Sequence, residues 1–146
     1  MNKKGFTIVE VLVVIGIISL MAFVSIPLFN NYQKTTKLKS EARLLATNLR
    51  LTQQLAITEQ NIYTFQLFPL NNNYQIINSA SSEVVKDVTL DSEVTIATTT
   101  GLTSSAAQFN PTGAAIETGF IYLINTKNQT STIEIKPSGY VQVTDQ

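Results

Sequence analysis

The sequence predicts an α+β fold: one long N-terminal helix, apolar in its first half and amphipathic in its second, packed on a mostly antiparallel β-sheet head. Three observations predict it. An apolar run from Phe6 to Phe29 contains one ionisable residue, Glu10. From Asn31 to Gln60 there is no glycine or proline, and apolar residues return at helical spacing. Beyond Gln60 the pattern changes to strict alternation punctuated by Gly, Pro and Asn, which reads as short strands and turns.

The first element is long enough to cross a bilayer. Phe6 to Phe29 is about 24 residues, or roughly 36 Å of helix, against a hydrocarbon core of about 30 Å. A secretory signal peptide has a shorter apolar core and a small-x-small cleavage site, and neither is present. An ordinary signal anchor explains the length, but not the glutamate or its spacing from the Gly5-Phe6 pair. A carboxylate at that depth costs about 2.5–3.5 kcal/mol on insertion scales, so Glu10 is a functional candidate by default. Positions 6 and 10 lie one turn apart on one helix face. Pro27 removes a helical hydrogen bond and either bends the helix or ends the span.

The second half of the helix reads as a core-facing stripe. Leu38, Ala42, Leu45, Leu49 and Ala56 recur at spacings of three, four and seven, with Thr52 the one polar residue in register. Lys39, Arg43, Arg50 and Gln53 fall outward. Strands follow. Tyr63, Phe65 and Leu67 alternate with polar residues, Pro69 and Asn71–Asn73 make a turn, and Tyr74–Ile77 returns as a hairpin. Val84–Leu90 and Val94–Ala97 are two more strands, and Thr98–Ser105 is a Thr/Ser/Gly loop. Phe109 leads into the turn Asn110-Pro111-Thr112-Gly113. Phe120–Ile124 and Thr130–Ile135 flank Lys127-Asn128-Gln129 as a second hairpin. After the turn Pro137-Ser138-Gly139, the last strand is Tyr140–Val143.

Composition narrows the function. The 146 residues carry 10 Lys+Arg against 10 Asp+Glu, and loss of Lys3 and Lys4 with a leader would leave eight basic against ten acidic. The head has no general attraction for nucleic acid. Cysteine, histidine and tryptophan are absent, which excludes disulfides, histidine-based catalysis and Cys/His zinc sites. No enzyme, no cofactor and no metal site is expected. Asp87, Asp91 and Glu93 form a loose acidic group, but no loop offers the six to eight oxygen ligands of a calcium site, so a solvated loop is expected there.

The leader Met1–Gly5, followed at once by Phe6, Thr7 and Glu10 and later by Pro27, resembles the N-terminus of type IV pilin-like proteins, the prepilins and pseudopilins. The resemblance implies cleavage after Gly5 by a membrane-embedded prepilin peptidase and N-methylation of the new terminus at Phe6. It implies that Glu10 meets the N-terminal amine of a neighbouring subunit, and that Pro27 kinks the helix. The implied division is a leader over 1–5, a transmembrane and filament-core helix over 6–29, and a globular head over 30–146, with helix 30–60 and β-sheet 61–146. The implied partners are the peptidase, other pilins or pseudopilins in a helical filament, the inner-membrane assembly platform and membrane lipid. The implied place is the inner membrane, single-pass, with the head outside the cytoplasm and later in an extracellular or periplasmic filament. By charge alone orientation is open, because Lys34, Lys37, Lys39 and Arg43 follow the span as Lys3 and Lys4 precede it. Those later charges lie either against anionic head groups and neighbouring subunits or on a solvated face.

Within that family, the segment LLATNLRLTQQLAITEQNIYTFQL (Leu44–Leu67) is similar to the helix-to-strand passage of H-type minor pseudopilins of type II secretion. It is similar also to that of type IV pilus minor pilins. The Phe109-Asn110-Pro111-x-Gly113 and Pro137-Ser138-Gly139-Tyr140-Val141 turns extend the similarity. A structural role as a minor subunit is the first expectation. A tip module of a DNA-uptake (competence) pilus that binds DNA or surfaces is the alternative. Some relatives bind DNA through C-terminal basic residues. Here the C-terminus GYVQVTDQ has none, and phosphate neutralisation needs several cations.

Overall fold

A computed structural model describes residues 5–145, without the side chains of Ile26, Pro27, Leu28, Asn30, Asn31 and Asp145. The element order is α1 (Ile8–Glu59), β1 (Tyr63–Phe68), β2 (Asn73–Asn78), β3 (Glu83–Thr89), β4 (Val94–Thr100), β5 (Ala106–Phe109), β6 (Gly119–Asn125), β7 (Thr130–Ile135) and β8 (Val141–Asp145). The chain divides into two compact units, one ending at Gln33 and the other running from Lys34 to Gln146.

In the first unit, α1 exposes its apolar residues on every side. Ile8, Leu12, Ile15, Ile18, Leu20 and Phe23 are all exposed. A helix apolar all round belongs in lipid or among other helices. Its two serine hydroxyls turn back on the helix itself: Ser19 Oγ donates to the Ile15 carbonyl and Ser25 Oγ to the Met21 carbonyl, both at 2.8 Å. That spares both groups a search for water.

In the second unit the stripe of α1 lies inward as its spacing predicts. Leu38, Ala42, Leu45, Leu49 and Ala56 are buried, and Thr52 is fully buried with its hydroxyl donated to the Asn48 carbonyl at 2.8 Å. Against them pack the inward residues of the strands, among them Phe65, Leu67, Tyr74, Ile76, Phe109, Ile121, Leu123, Ile133 and Ile135.

The strands form two sheets where the sequence suggested one. The first has order β3-β2-β1-β5 and the second β4-β6-β7-β8, and every pairing is antiparallel. Asn72 stitches them together: in a left-handed conformation (φ 52°), its side chain donates to the Val94 carbonyl (2.7 Å) and accepts from Ile96 N–H (3.1 Å). Several strand limits also differ from those the sequence suggests, two of them by more than a residue or two. β4 continues to Thr100, and β5 occupies Ala106–Phe109 where only Phe109 was singled out. Threonine-rich segments satisfy strand and loop patterns alike, and pairing with β6 decides for strand.

Two turns are clasped to the helix by Gln53. Its side-chain amide donates to the Gly113 carbonyl (2.7 Å) and to the Ser138 carbonyl (3.4 Å). Gln53 was read as outward; it is half-buried because these turns close over it. Asn110 Oδ1 accepts from the N–H groups of Thr112 and Ala114, each at 3.0 Å, which builds the first turn. Gly113 (φ +84°) and Gly139 (φ +77°) occupy the left-handed region, and a Cβ on Gly139 would overlap the Gly113 carbonyl and the Gln53 amide. The Phe-Asn-Pro-x-Gly and Pro-Ser-Gly signals thus mark where the sheet is fastened to α1.

Candidate assembly site

Four of the residues singled out by sequence meet at the start of α1. Gly5 and Phe6 precede the helix, with Phe6 87 % exposed and Gly5 open on all sides. Thr7 is the N-cap. Thr7 N–H donates to Glu10 Oε2 (2.8 Å) and Thr7 Oγ1 donates to the same oxygen (2.9 Å), while Glu10 N–H donates back to Thr7 Oγ1 (3.3 Å). This is a reciprocal capping box, which satisfies two of the backbone donors that a helix start leaves unpaired. Thr7-x-x-Glu10 is the local signature of such a box, hidden behind the reading of Glu10 as the lone charge of an apolar run. The arrangement holds the carboxylate against the helix start, on the N–H of the peptide that joins Phe6 to Thr7. Both hydrogen bonds from Thr7 fall on one carboxylate oxygen. Pro27 lies within α1 with its side chain outside the described residues, as does the basic leader pair Lys3 and Lys4.

Ile8–Ser25 is long and apolar enough to cross a membrane, and none of it is buried within the chain. The cations that follow the span are partly accounted for inside the second unit. Lys34 pairs with Glu93 (3.1 Å) and Lys37 with Asp91 (2.9 Å). The Asp91 carboxyl is held below its ordinary range first by the Glu93 backbone N–H and then by Lys37. Glu93 is lowered by the Thr126 hydroxyl and then by Lys34, and Asp91 in turn raises Lys37. Both pairs are local and neutralised in place.

The acidic group Asp87, Asp91 and Glu93 is not one cluster. Asp87 accepts from the Asn73 and Gln75 side-chain amides (3.1 and 2.8 Å), away from the two lysine pairs. Among the described residues no set of three metal-ligating side chains converges.

Burial inside the head places one polar network that the stripe pattern does not reveal. Asn48 Nδ2 donates to the Tyr74 hydroxyl (2.6 Å), and Lys86 Nζ donates to Asn48 Oδ1 (2.8 Å). Tyr74 stacks on Phe65 at 4.8 Å, and burial pushes its hydroxyl up to about 12. The network is satisfied at each step, as a buried polar group must be. Its work is to pin β2 and β3 to the helix.

Comparison with known proteins agrees with this geometry. A family model described as the prokaryotic N-terminal methylation motif matches residues 1–26, and one described as type II transport protein GspH matches residues 41–139. The type IV major pilin protein PilE of Neisseria gonorrhoeae is 33% identical over 99 residues, 66% of this chain and 56% of that protein. A PilE1 protein of the same organism is 33% identical over 100 residues, 66% of this chain and 52% of its own length. The chain spans about half the length of the curated relatives it matches. Among solved structures, the minor pseudopilin EpsH from the type 2 secretion system of Vibrio cholerae has a TM-score of 0.62 at 11% identity, covering 75% of this chain and 97% of that one. The type IV minor pilin FimU of Pseudomonas aeruginosa has a TM-score of 0.61 at 13% identity, covering 75% and 89%. At those identities the two structures speak for the fold alone. An N-terminal methylation motif followed by a match across most of the head settles the family: the chain belongs to the type IV pilin-like proteins, in the family described as type II transport protein GspH.

Proposed function

We infer that this protein is a minor structural subunit of a type IV pilus or a type II secretion pseudopilus. It enters the filament through its N-terminal helix after the prepilin peptidase cuts behind Gly5 and Phe6 is methylated. The observation that carries the reading is the first unit: an apolar helix exposed on every side, opened by the Thr7–Glu10 capping box. Such a helix needs lipid before assembly and neighbouring helices after it. Pilin and pseudopilin families are structural subunits rather than enzymes, and nothing in the sequence supplies a histidine-activated nucleophile.

Cleavage would turn the Phe6 nitrogen into an amine one turn from Glu10. Between chains, that amine and Glu10 of the neighbour would fix the axial step, since a slipped subunit leaves both charges unpaired in an apolar bundle. The inner membrane, with the head outside the cytoplasm, is the place this reading requires, and the assembly platform and membrane lipid are its further partners. The minor role is supported by the match of the head to the GspH family; the PilE relatives carry the name of a major pilin. The competence alternative has less support. Three of the head's eight cations, Lys34, Lys37 and Lys136, stand in internal ion pairs, and β8 and the turn before it bring none, whereas phosphate binding needs several cations.

Mass spectrometry of membrane and filament fractions tests the reading. A chain beginning at N-methylated Phe6 is expected. An intact Met1 terminus in cells with active prepilin peptidase would defeat it.

A further inference from the structure

The outer face of the second sheet departs from the usual pattern. β6 lies inside that sheet, between β4 and β7, and its residues alternate between buried and outward. An antiparallel strand so placed normally puts polar residues on its solvent side. β1, an inner strand of the other sheet, does so with Thr64 and Gln66 and carries Phe68 only at its end. β6 instead turns Phe120, Tyr122 and Ile124 outward. Phe120 is 39 % exposed, and its ring stacks on that of Tyr122 with centroids 6.3 Å apart. Clustered apolar groups left in water and rimmed by polar ones mark a ligand or partner site.

The strand register supplies that rim. Phe120 stands in a row with Thr100 of β4, Glu134 of β7 and Gln142 of β8, and Tyr122 in the next row with Thr98, Thr132 and Thr144. Residues paired in this way share a face and lie about 4.5–5.5 Å apart, so hydroxyl, carboxylate and amide groups flank both rings. At the Phe120 end the face deepens into a pocket of about 330 Å³ among Thr100, Gly101, Phe120, Glu134, Lys136 and Pro137. Gly101 and Gly119 bring β4 and β6 so close there that a Cβ on either would strike a backbone carbonyl, of Thr118 or of Thr100. That corner of the pocket is therefore bare backbone.

We propose that this face binds a neutral oligosaccharide, with one pyranose ring against Phe120 in the pocket and the chain continuing past Tyr122 along the threonines. A pyranose has a face of C–H bonds and a rim of hydroxyls. The site meets the first with aromatic surface. It meets the second with Glu134 as acceptor, Lys136 as donor, and the threonines and Gln142 as both. Small-molecule sites are built from apolar and aromatic walls with a few placed polar groups, in about 300–1,000 Å³. Charge selects a neutral ligand. Glu134 and Lys136 lie 3.9 Å apart on the rim, so an anion gains from one what it loses to the other, and so does a cation. A wholly apolar occupant would strip water from both charges without replacing its hydrogen bonds. A single nucleic-acid strand would stack on the same rings but also needs a cationic track, and among the described residues Lys136 is the one cation lining the pocket. Every residue of the site belongs to the second unit, so its binding does not depend on entry into a filament.

Calorimetric titration of the full-length chain, held in a detergent without a sugar head group, tests the site. Maltohexaose, cellohexaose and chitohexaose are the probes. At least one should bind, with an affinity that salt does not change. Phe120→Ala should weaken that binding about tenfold, while Phe120→Tyr, which keeps the ring, should bind as the unaltered chain does. Gln66→Ala, on the outer face of the other sheet, should change nothing. Phe120 lies outside the buried cluster, so the midpoint of thermal unfolding should hold in Phe120→Ala. If it falls, Thr100→Val decides instead, because it removes a hydroxyl at nearly constant shape: weaker binding upholds the site and unchanged binding overturns it. Failure of all three sugars to bind would overturn the proposal. So would binding that a folded Phe120→Ala leaves intact, or binding that salt weakens and single-stranded DNA displaces.

Discussion

The two units of this chain solve opposite problems with the same side chains. Before Gln33, the described leucine, isoleucine, valine and phenylalanine side chains lie on the surface; after Lys34, the stripe of α1 and one face of each sheet put them inside. Burial of a large apolar side chain stabilises by about 1.5–3 kcal/mol. In the head that gain is collected within one chain. In the first unit it is available only from lipid or from other chains. The difference teaches where to look for function: the part that cannot satisfy itself is the part that assembles.

Replacing Glu10 should break the comparison most severely. Losing one member of a buried charge pair costs about 3–5 kcal/mol, because the other charge stays unpaired. Glu10→Ala should therefore be inserted and cleaved normally but be strongly depleted from sheared filaments relative to the membrane pool. Glu10 also serves the capping box, whose loss costs about 1 kcal/mol at a helix start. Glu10→Gln separates the two roles, since its amide oxygen still accepts from Thr7 while the charge is gone. It should be depleted as severely as the alanine variant. Wild-type incorporation of Glu10→Gln would mean that the cap, not the charge, is what the filament needs.

A core change in the head should have a smaller and different effect. Leu45 is fully buried on α1, and Leu→Ala at such a site costs about 2–5 kcal/mol. Leu45→Ala should lower the midpoint of thermal unfolding of the head while leaving the N-terminal processing unchanged. Loss of processing in that variant would show the two units to be coupled.

Much of this was readable from residue order. Leu38, Ala42, Leu45, Leu49 and Ala56 stand at helical spacing and all are buried, because a stripe that wide has one way to face a sheet. The hairpins of β1 with β2 and of β6 with β7 follow from alternation and turn residues. The split into two sheets was not legible: it rests on β5 returning to pair with β1 and on β4 pairing with β6, long-range pairings with no local signature. Buried Asn48 was missed for the same reason, since its partners Tyr74 and Lys86 lie far along the chain. At the N-terminus the signal was available and unread, for Thr7-x-x-Glu10 is local. Lys34 and Lys37 stand in the sequence as candidates for lipid, neighbouring subunits or solvent, and the acids that bind them, Glu93 and Asp91, both lie between β3 and β4, too distant in sequence to pair by inspection.

The division itself is tested most directly by removing the first unit. A chain beginning at Lys34 keeps every residue of the buried cluster, from Leu38 to Val141. It should be soluble without detergent, show mixed helix and sheet by circular dichroism, and unfold in one cooperative transition. An unfolded or wholly helical spectrum, or retention in the membrane fraction, would contradict the claim that the head folds on its own core and that the first unit alone carries the unsatisfied apolar surface.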